Sequence, residues 1–298
     1  MSDSNDDNSF PAFAVTLIIA TSAILASMDA LAKSLALEVP IIMVLWGRYF
    51  FHTVITFSAY SLKTRSLQFV CARRPGLQFI RAFALFGATF FMYEAITRMP
   101  LGDAAAIQFL APVLVTALSG LLLGEHVGPR RWMAVAFGFV GVLLVARPGS
   151  GVLSWNALLP LATAVLLAVY MMMTRIIRNQ DDPAATTFYS TALGALILSC
   201  IVIFNWQPLT DFQWGLMIAM GAAGAGGHFM LVKAFHMAEA SMLAPFTYAQ
   251  VVAAIAWGFL VFGEVPSLWT ISGAGVVVAS GLYVWYRETR TTMPAKQS

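Results

Sequence analysis

Residues 93–132 read YEAITRMPLGDAAAIQFLAPVLVTALSGLLLGEHVGPRRW, and this stretch decides the fold. It holds the end of one apolar run, a tight break at Met99-Pro100, a complete apolar run and a polar turn. The same layout returns in residues 232–269, VKAFHMAEASMLAPFTYAQVVAAIAWGFLVFGEVPSLW. A chain that repeats itself at half its length is expected to contain two equivalent units. A shift of 139 positions aligns Ala95 with Ala234, Ala105 with Ala244, Val113 with Val252, Ala117 with Ala256, Leu121 with Leu260 and Gly124-Glu125 with Gly263-Glu264.

The composition indicates a membrane protein. Apolar residues make up 59% of the chain and charged residues 10%, against roughly 25% charged in soluble domains. No soluble fold can bury that much apolar surface, so lipid is the expected surrounding. The net charge of +3 does not indicate nucleic-acid binding, because the basic residues are spread between apolar runs. Cys71 and Cys200 lie far apart and match neither a disulfide framework nor a metal site.

Turn and charge signals divide the chain into ten apolar runs. Most hold about 20 residues, the length that a helix needs to cross roughly 30 Å of hydrocarbon. Transmembrane strands are excluded because the runs do not alternate and because open strands leave backbone groups unpaired in lipid. The runs are Ala12–Leu37, Ile41–Leu62, Gln78–Arg98, Gly102–Gly124, Arg131–Arg147, Trp155–Ile177, Pro183–Asn205, Phe212–His236, Ala240–Gly263 and Pro266–Tyr286.

The basic residues predict the orientation. With the N-terminus in the cytoplasm, most Lys and Arg residues fall on cytoplasmic loops or helix ends, and the outside holds little beyond Lys33, Arg98 and Arg147. Both termini are therefore predicted to be cytoplasmic. The N-terminus, MSDSNDDNSF, lacks the positive charge that begins a signal peptide, so none is expected.

The repeat predicts the architecture. Residues 1–150 form the first predicted five-helix unit and residues 151–298 the second. Because five is an odd number, the second unit enters the bilayer from the opposite side, and an axis in the membrane plane relates the two units. We therefore predict an all-α membrane protein with ten transmembrane helices in a 5+5 inverted repeat. Such a repeat builds a cavity between its halves near the bilayer midplane, which is the basis of alternating access.

The segments around the two Gly-Glu turns resemble a known family. APVLVTALSGLLLGEHVGPRRW followed by GFVGVLLVARPG, and its copy GFLVFGEVPSLW followed by GAGVVVASGLYVW, are similar to the two EamA-type repeats of the drug/metabolite transporter superfamily. The resemblance covers nearly the whole chain and is specific for fold, not for substrate. It implies a multi-pass carrier in the bacterial inner membrane, and the overall pattern is similar to the aromatic amino-acid exporter branch. The second repeat departs in lacking a proline aligned with Pro112, since Pro245 lies more than a turn earlier.

The first run carries two ionisable residues, Asp29 and Lys33, on one helical face. A charge inside lipid costs roughly 2.5–3.5 kcal/mol on insertion scales, so both side chains are expected to face protein or water. They are predicted to bind the amino and carboxylate groups of a zwitterion. A structural ion pair, or Lys33 reaching the outer interface, is the alternative.

The third run ends with Tyr93 and Glu94, and both are candidate substrate-binding residues. Glu94 aligns with Lys233 under the shift of 139, so in an inverted repeat these two residues could line opposite mouths of one path. The alternative is a surface ion pair between Glu94 and Arg98, which have i,i+4 spacing.

A polar break is predicted in the fourth run, where Gln108 lies one turn before Pro112. Proline leaves a backbone carbonyl without its donor, which suits a substrate-binding site. Tyr248 and Gln250 occupy the matching region of the ninth run, and their phenol and amide groups are predicted to hold the backbone of an amino acid. Hydrogen bonding between helices is the alternative.

Two further candidates are a histidine and a tyrosine. His228 follows the small-residue segment GAAGAGG and can take up a proton near neutral pH. Tyr170 precedes three methionines and is predicted to form an adaptable wall for an apolar side chain. Packing is the alternative role for His228, and lipid contact is the alternative for Tyr170.

The repeated carboxylates Glu125 and Glu264 are interpreted as structural, because each precedes a helix N-terminus, where negative charge is favourable. The sequence contains no HExxH, GxSxG or GxxxxGK[ST] motif. We therefore expect neither an enzyme nor an ATP-driven pump, and we predict no catalytic residue, metal or cofactor.

Together these features predict an exporter of amino acids with a broad, aromatic-tolerant pocket. The predicted partners are the amino-acid substrate and the lipid bilayer; nucleic acid is not expected, and a monomer is compatible with the pattern. A carrier of another small metabolite or of a cationic drug is the first alternative. An intramembrane enzyme or sensor is the second, and no catalytic pair in the sequence favours it.

Overall fold

The computed structural model describes residues 12–65, 70–123, 128–146, 155–177, 183–238 and 243–292. Within these ranges the chain is helical and contains no strand. Nine helices there are long and apolar enough to span a membrane, and the shorter apolar helix Trp132–Ala146 is the tenth. The predicted all-α membrane fold is confirmed.

The helix bounds follow the apolar runs closely, because each run is as long as the bilayer is thick. Short 3₁₀ segments occur at Trp155–Ala157, Val202–Asn205 and Ala244–Tyr248. The α-helices are α1 (Ala12–Ala36), α2 (Ile41–Thr64), α3 (Pro75–Ile96), α4 (Leu101–Gln108), α5 (Ala111–Leu123), α6 (Pro129–Ala146), α7 (Leu158–Ile177), α8 (Pro183–Ile201), α9 (Asp211–Met237), α10 (Ala249–Phe262) and α11 (Leu268–Thr292).

The fourth run is interrupted where the sequence predicts a break. α4 ends at Gln108 and α5 begins at Ala111. Pro112 has no N–H to donate to the carbonyl of Gln108, four residues earlier, so one helix cannot continue here with all its hydrogen bonds. The ninth run changes at the equivalent place, where the 3₁₀ segment Ala244–Tyr248 gives way to α10.

Two repeat-related residues meet at these breaks. Phe109 and Tyr248 are equivalent under the shift of 139, and their ring centroids lie 5.4 Å apart. Residues related by a twofold axis can touch only near that axis, so this contact is the one expected at the pseudo-twofold axis of the predicted inverted repeat. Tyr248 also fills the space beside Gly281, where a Cβ would lie 1.5 Å from the Tyr248 hydroxyl.

Helices from the two units alternate in the bundle. α3 packs along α7, α1 along α9 and α10, and α6 along α11. At the α6–α11 crossing, a Cβ on Gly141 would lie 2.9 Å from the carbonyl oxygen of Gly273, and a Cβ on Gly273 would lie 2.6 Å from that of Gly141. Glycine at both positions therefore lets these two backbones touch, as small residues commonly do between membrane helices.

The bundle has two ends, which we name by their buried cations. α1 and α3 finish at the Lys33 end, and α3 begins at the Arg81 end. The predicted orientation places the Lys33 end outside the cell. A buried apolar core reaches this end through residues that are 3% exposed or less: Leu35, Val39, Met43, Ile96 and Leu101.

Candidate functional site

Ionisable side chains in the middle of the bundle form a column made of Asp29, Arg48, His52 and His228. Asp29 of α1 is buried, and the charge of Arg48 on α2 acts on it. His52 follows Arg48 by one turn of α2 and therefore lies on the same helical face. The His52 imidazole centroid lies 5.5 Å from that of His228 on α9. We call these four residues the central polar column.

Arg48 has hydrogen-bond donors to spare. Its guanidinium carbon lies 5.2 Å from the ring centroid of Tyr93 and 5.7 Å from that of Tyr49, as in cation–π contacts. Among the described residues no carboxylate comes within 4.0 Å of the guanidinium, although Asp29 is near enough to interact with it. Tyr93 is 0% exposed, and its hydroxyl makes no hydrogen bond of normal geometry to the described residues.

The two histidines extend the column toward the Arg81 end. His52 is 3% exposed, and its Nε2 has no hydrogen-bond partner among the described residues. Gly224 makes room for this ring, because a Cβ there would lie 2.7 Å from Nδ1 of His52. His228 is half-buried, and the charges of both Arg48 and Arg81 act on it. The column thus continues from Arg48 to Arg81.

Arg81 joins three helices at its end of the bundle. Its Nε donates to Thr174 of α7 at 2.6 Å, and its Nη1 donates to the Thr186 carbonyl and the Ser190 hydroxyl of α8 at 2.7 and 2.8 Å. Its Nη2 donates to the Tyr170 hydroxyl at 2.9 Å. We call these five residues the Arg81 cluster. Every acceptor in it is neutral, so this 3% exposed cation has no counter-ion within it.

Lys33 has a different environment. It forms an ion pair with Glu264, and its Nζ also donates to the Met99 carbonyl at 3.0 Å. The second carboxylate oxygen of Glu264 accepts from the backbone N–H of Leu101 at 2.8 Å. We call these four residues the Lys33 cluster. It joins α1 and the α3–α4 turn, from the first unit, to the α10–α11 turn of the second.

Glu264 acts on a helix N-terminus, although not the one that follows it in the sequence. Leu101 begins α4, and Pro100 before it provides no side-chain cap. A carboxylate at this position satisfies a free N–H and interacts favourably with the helix dipole. Glu264 therefore stabilises α4 of the opposite unit. Its repeat equivalent, Glu125, lies outside the described residues.

The structure brings five of the nine predicted site residues to the column or its borders. Asp29, Tyr93 and Gln250 surround Arg48, with the Gln250 side chain beside the Asp29 carboxylate. His228 belongs to the column, and Tyr170 belongs to the Arg81 cluster. Their roles in substrate binding stay predictions.

The other four predicted residues lie apart from the column. Lys33 pairs with Glu264, and Glu94 pairs with Arg98 in the i,i+4 arrangement. Gln108 ends α4 and is half-buried. Tyr248 packs on Phe109 near the pseudo-twofold axis.

Sequence reasoning gave little weight to the two arginines that shape the site. Neither arginine is among the predicted site residues. Arg48 lies seven residues inside α2 and Arg81 six residues inside α3, by their numbering. That depth is the available signal, because basic residues deep in membrane helices face the protein interior.

Comparison with known proteins identifies the family. The profile of the EamA-like transporter family matches residues 12–147 and 154–286. This chain belongs to the EamA-like transporter family. A solved crystal structure of a protein that is 22% identical aligns with a TM-score of 0.62, over 90% of this chain and 95% of the other, and it supports the fold alone.

Three curated relatives show the range of cargo among similar proteins. The riboflavin transporter of Vibrio cholerae is 30% identical, over 77% of this chain and 78% of the relative. The S-adenosylmethionine uptake transporter of Rickettsia prowazekii is 24% identical, over 91% of each chain. The pseudopaline exporter CntI of Pseudomonas aeruginosa is 27% identical, over 89% and 93%. The predicted membrane transporter is thus confirmed as to family, whereas the aromatic amino-acid branch stays a prediction.

Proposed function

We propose that this EamA-like protein carries a small polar organic metabolite across the bacterial inner membrane by alternating access. The central polar column supports this proposal most directly. Each ionisable group at such depth costs roughly 2.5–3.5 kcal/mol on insertion scales, and such groups usually mark a substrate path. The relatives are named for riboflavin, S-adenosylmethionine and pseudopaline, which favours a metabolite richer in hydrogen-bonding groups than a simple amino acid.

The Lys33 cluster suits the closed end of such a carrier. Lys33 belongs to the first unit and Glu264 to the second, so rocking of the units would separate them. The Glu264 side chain is 20% exposed, which allows water to hydrate both ions once they part. An ion pair that is partly exposed contributes about 1 kcal/mol, little enough to break in each cycle. We therefore interpret this conformation as the state closed at the Lys33 end.

Amino-acid export is the second candidate, and one observation favours it. Asp29 and Arg48 lie near each other without forming a direct ion pair. A carboxylate and a guanidinium in this arrangement can hold the amino and carboxylate groups of one zwitterion. Arg48 would then take the role that the sequence pattern gives to Lys33.

Metabolite profiling in proteoliposomes tests the proposed function without prior choice of cargo. Liposomes with and without the protein are incubated in a bacterial metabolite extract that is supplemented with riboflavin, S-adenosylmethionine, phenylalanine and tyrosine, and their contents are measured by mass spectrometry. We expect at least one solute to enter faster with wild-type protein, and Asp29→Asn to slow its entry by at least about tenfold.

The matched control is Arg65→Gln, which changes an exposed residue at the end of α2 and should transport like wild type. If no solute distinguishes wild-type from empty liposomes, the carrier function is contradicted. A solute that enters with an altered mass would instead favour the intramembrane enzyme.

A further inference from the structure

The buried charges between the middle of the bundle and the Arg81 end do not balance. Arg48 and Arg81 contribute two positive charges, and Asp29 is the described carboxylate that acts at this depth. Glu264 is engaged with Lys33 and Glu94 with Arg98, both at the Lys33 end. With neutral histidines, this region therefore carries one positive charge in excess.

The excess charge has no local compensation at Arg81. Hydroxyl and carbonyl acceptors satisfy its N–H groups but leave the charge of the guanidinium in place. That charge acts on His228, as the charge of Arg48 does. The charge of Arg48 also acts on His52. Both imidazoles thus lie in a positive electrostatic potential that the two arginines produce.

Unused donors converge on the same space. Arg48 is half-buried, and no carboxylate of the described residues approaches its guanidinium within 4.0 Å, so its five N–H groups have no anionic acceptor there. The buried Tyr93 hydroxyl makes no hydrogen bond of normal geometry to the described residues, although it lies close to Arg48. The buried Nε2 of His52 has no hydrogen-bond partner among the described residues. Buried polar groups are normally paired, so groups left unpaired in one region indicate a missing partner.

We propose that the space between Arg48 and Arg81 binds the anionic group, a carboxylate or a phosphate, of the transported metabolite. This inference rests on the proposed function and names its substrate class. The anion supplies the missing negative charge, accepts hydrogen bonds from Arg48, and pairs with the Tyr93 hydroxyl or with His52. Asp29, near Arg48, and Gln250, beside Asp29, hold an N–H or amino group of the same molecule. A net cation is disfavoured because two arginines oppose the one carboxylate.

Thermal unfolding of the purified protein tests the anion site without any knowledge of the cargo. The unfolding midpoint is measured in detergent in sodium phosphate, sodium succinate and sodium chloride at equal ionic strength. Phosphate stabilises many proteins by exclusion from their surface, so the decisive quantity is the anion effect in wild type minus that in the variant. We expect phosphate or succinate to raise the wild-type midpoint by about 3 °C or more relative to chloride.

Arg48→Gln should lose this rise, and Arg65→Gln should keep it. Arg48→Lys keeps the charge but lacks the planar guanidinium, so it should retain about half or less of the rise in unfolding midpoint. It is the second variant to measure if Arg48→Gln folds poorly. A larger effect of succinate would assign the group as a carboxylate, and a larger effect of phosphate would assign it as a phosphate. Equal midpoints in the three salts for wild type, or a rise that Arg48→Gln preserves, would overturn the proposal.

Two matched probe pairs separate this inference from the carrier function. Flavin mononucleotide and riboflavin share one ring and differ by a phosphate, while glutamate and glutamine differ by one charge. The proposal predicts that at least one anionic member binds at least about tenfold more tightly than its neutral partner, and that Arg48→Gln removes the difference. Transport of a cation or neutral solute with no anion preference would overturn this inference and leave the carrier intact. Anion binding without transport would overturn the carrier function and leave the anion site intact.

Discussion

The two ends of the bundle hold their buried cations in opposite ways. Lys33 meets a carboxylate, Glu264, whereas Arg81 meets neutral oxygens on α7 and α8. Both cations belong to the first unit, and both reach across to the second. One ion pair can separate into two hydrated ions, but Arg81 must release four hydrogen bonds at once. The comparison indicates that the contact between the units at the Lys33 end separates more readily than the contact at the Arg81 cluster.

Replacing Arg81 by lysine weakens the stronger of the two contacts and should give the largest effect. Lysine keeps the charge but carries its donors on a single nitrogen, which cannot span the four acceptors that three guanidinium nitrogens reach on α7 and α8. Losing about two hydrogen bonds of a charged donor, at about 1.5–3 kcal/mol each, should lower the unfolding midpoint by about 5 °C or more and slow transport by at least about tenfold. Thermal unfolding and liposome transport measure the two effects.

The control for Arg81→Lys is Arg65→Lys, which changes an exposed arginine on the neighbouring helix. A variant that unfolds and transports like this control would show that the Arg81 cluster does not join the units.

The separable contact is tested by neutralising one partner and then both. Glu264→Gln leaves a buried Lys33 without its counter-ion. It should shift the equilibrium between the closed and open Lys33 end toward opening by about 2 kcal/mol, which changes the ratio of open to closed protein about thirtyfold. Lys33→Met/Glu264→Gln leaves no unpaired charge, and the amide oxygen can still accept from Leu101. The double variant should therefore match the wild-type unfolding midpoint to within about 3 °C while transporting more slowly.

The double-mutant cycle supplies its own control, because coupled residues give non-additive changes. The cycle compares Lys33→Met, Glu264→Gln and the double variant. If the stability loss of the double variant equals the sum of the two single losses, Lys33 and Glu264 do not act as a pair.

The smallest effect is expected for the other ion pair at the Lys33 end. Glu94 and Arg98 are one helical turn apart, and the Arg98 side chain is 54% exposed. Such pairs contribute about 0.3–0.5 kcal/mol, so Glu94→Gln should change transport less than about twofold. A loss of transport in Glu94→Gln would instead support the predicted position of Glu94 on the substrate path.

The fold was largely predictable because lipid constrains the sequence. Each apolar run must span the hydrocarbon, so its length nearly fixes the helix: the predicted run Pro183–Asn205 corresponds to α8 and the 3₁₀ segment that follows it. The break near Gln108 was predictable too, since proline cannot donate to the carbonyl four residues before it. The shift of 139 positions also relates Phe109 to Tyr248, whose rings touch in the structure.

The site was less predictable because helix rotation is decided by packing between distant segments. Asp29 and Lys33 share a face of α1, yet Lys33 meets Glu264, 231 residues later, while Asp29 interacts with Arg48. Periodicity within one run does not show which neighbouring helix supplies a partner. Arg81 illustrates the same limit, since its depth in α3 indicates an interior position but does not show that α7 and α8 supply its acceptors.

Cysteine accessibility tests most directly whether the Lys33 cluster closes this end over the central polar column. Gln250→Cys is made in a background that lacks the exposed cysteines Cys71 and Cys200, and it is labelled with a membrane-impermeant maleimide from the Lys33 side. Leu37→Cys, at a position that is 68% exposed, is the reference for free access. The account predicts that Gln250→Cys reacts at least about tenfold more slowly than the reference, and that adding Glu264→Gln restores most of the rate. Equal labelling of the two cysteines with Glu264 intact would contradict closure of the Lys33 end.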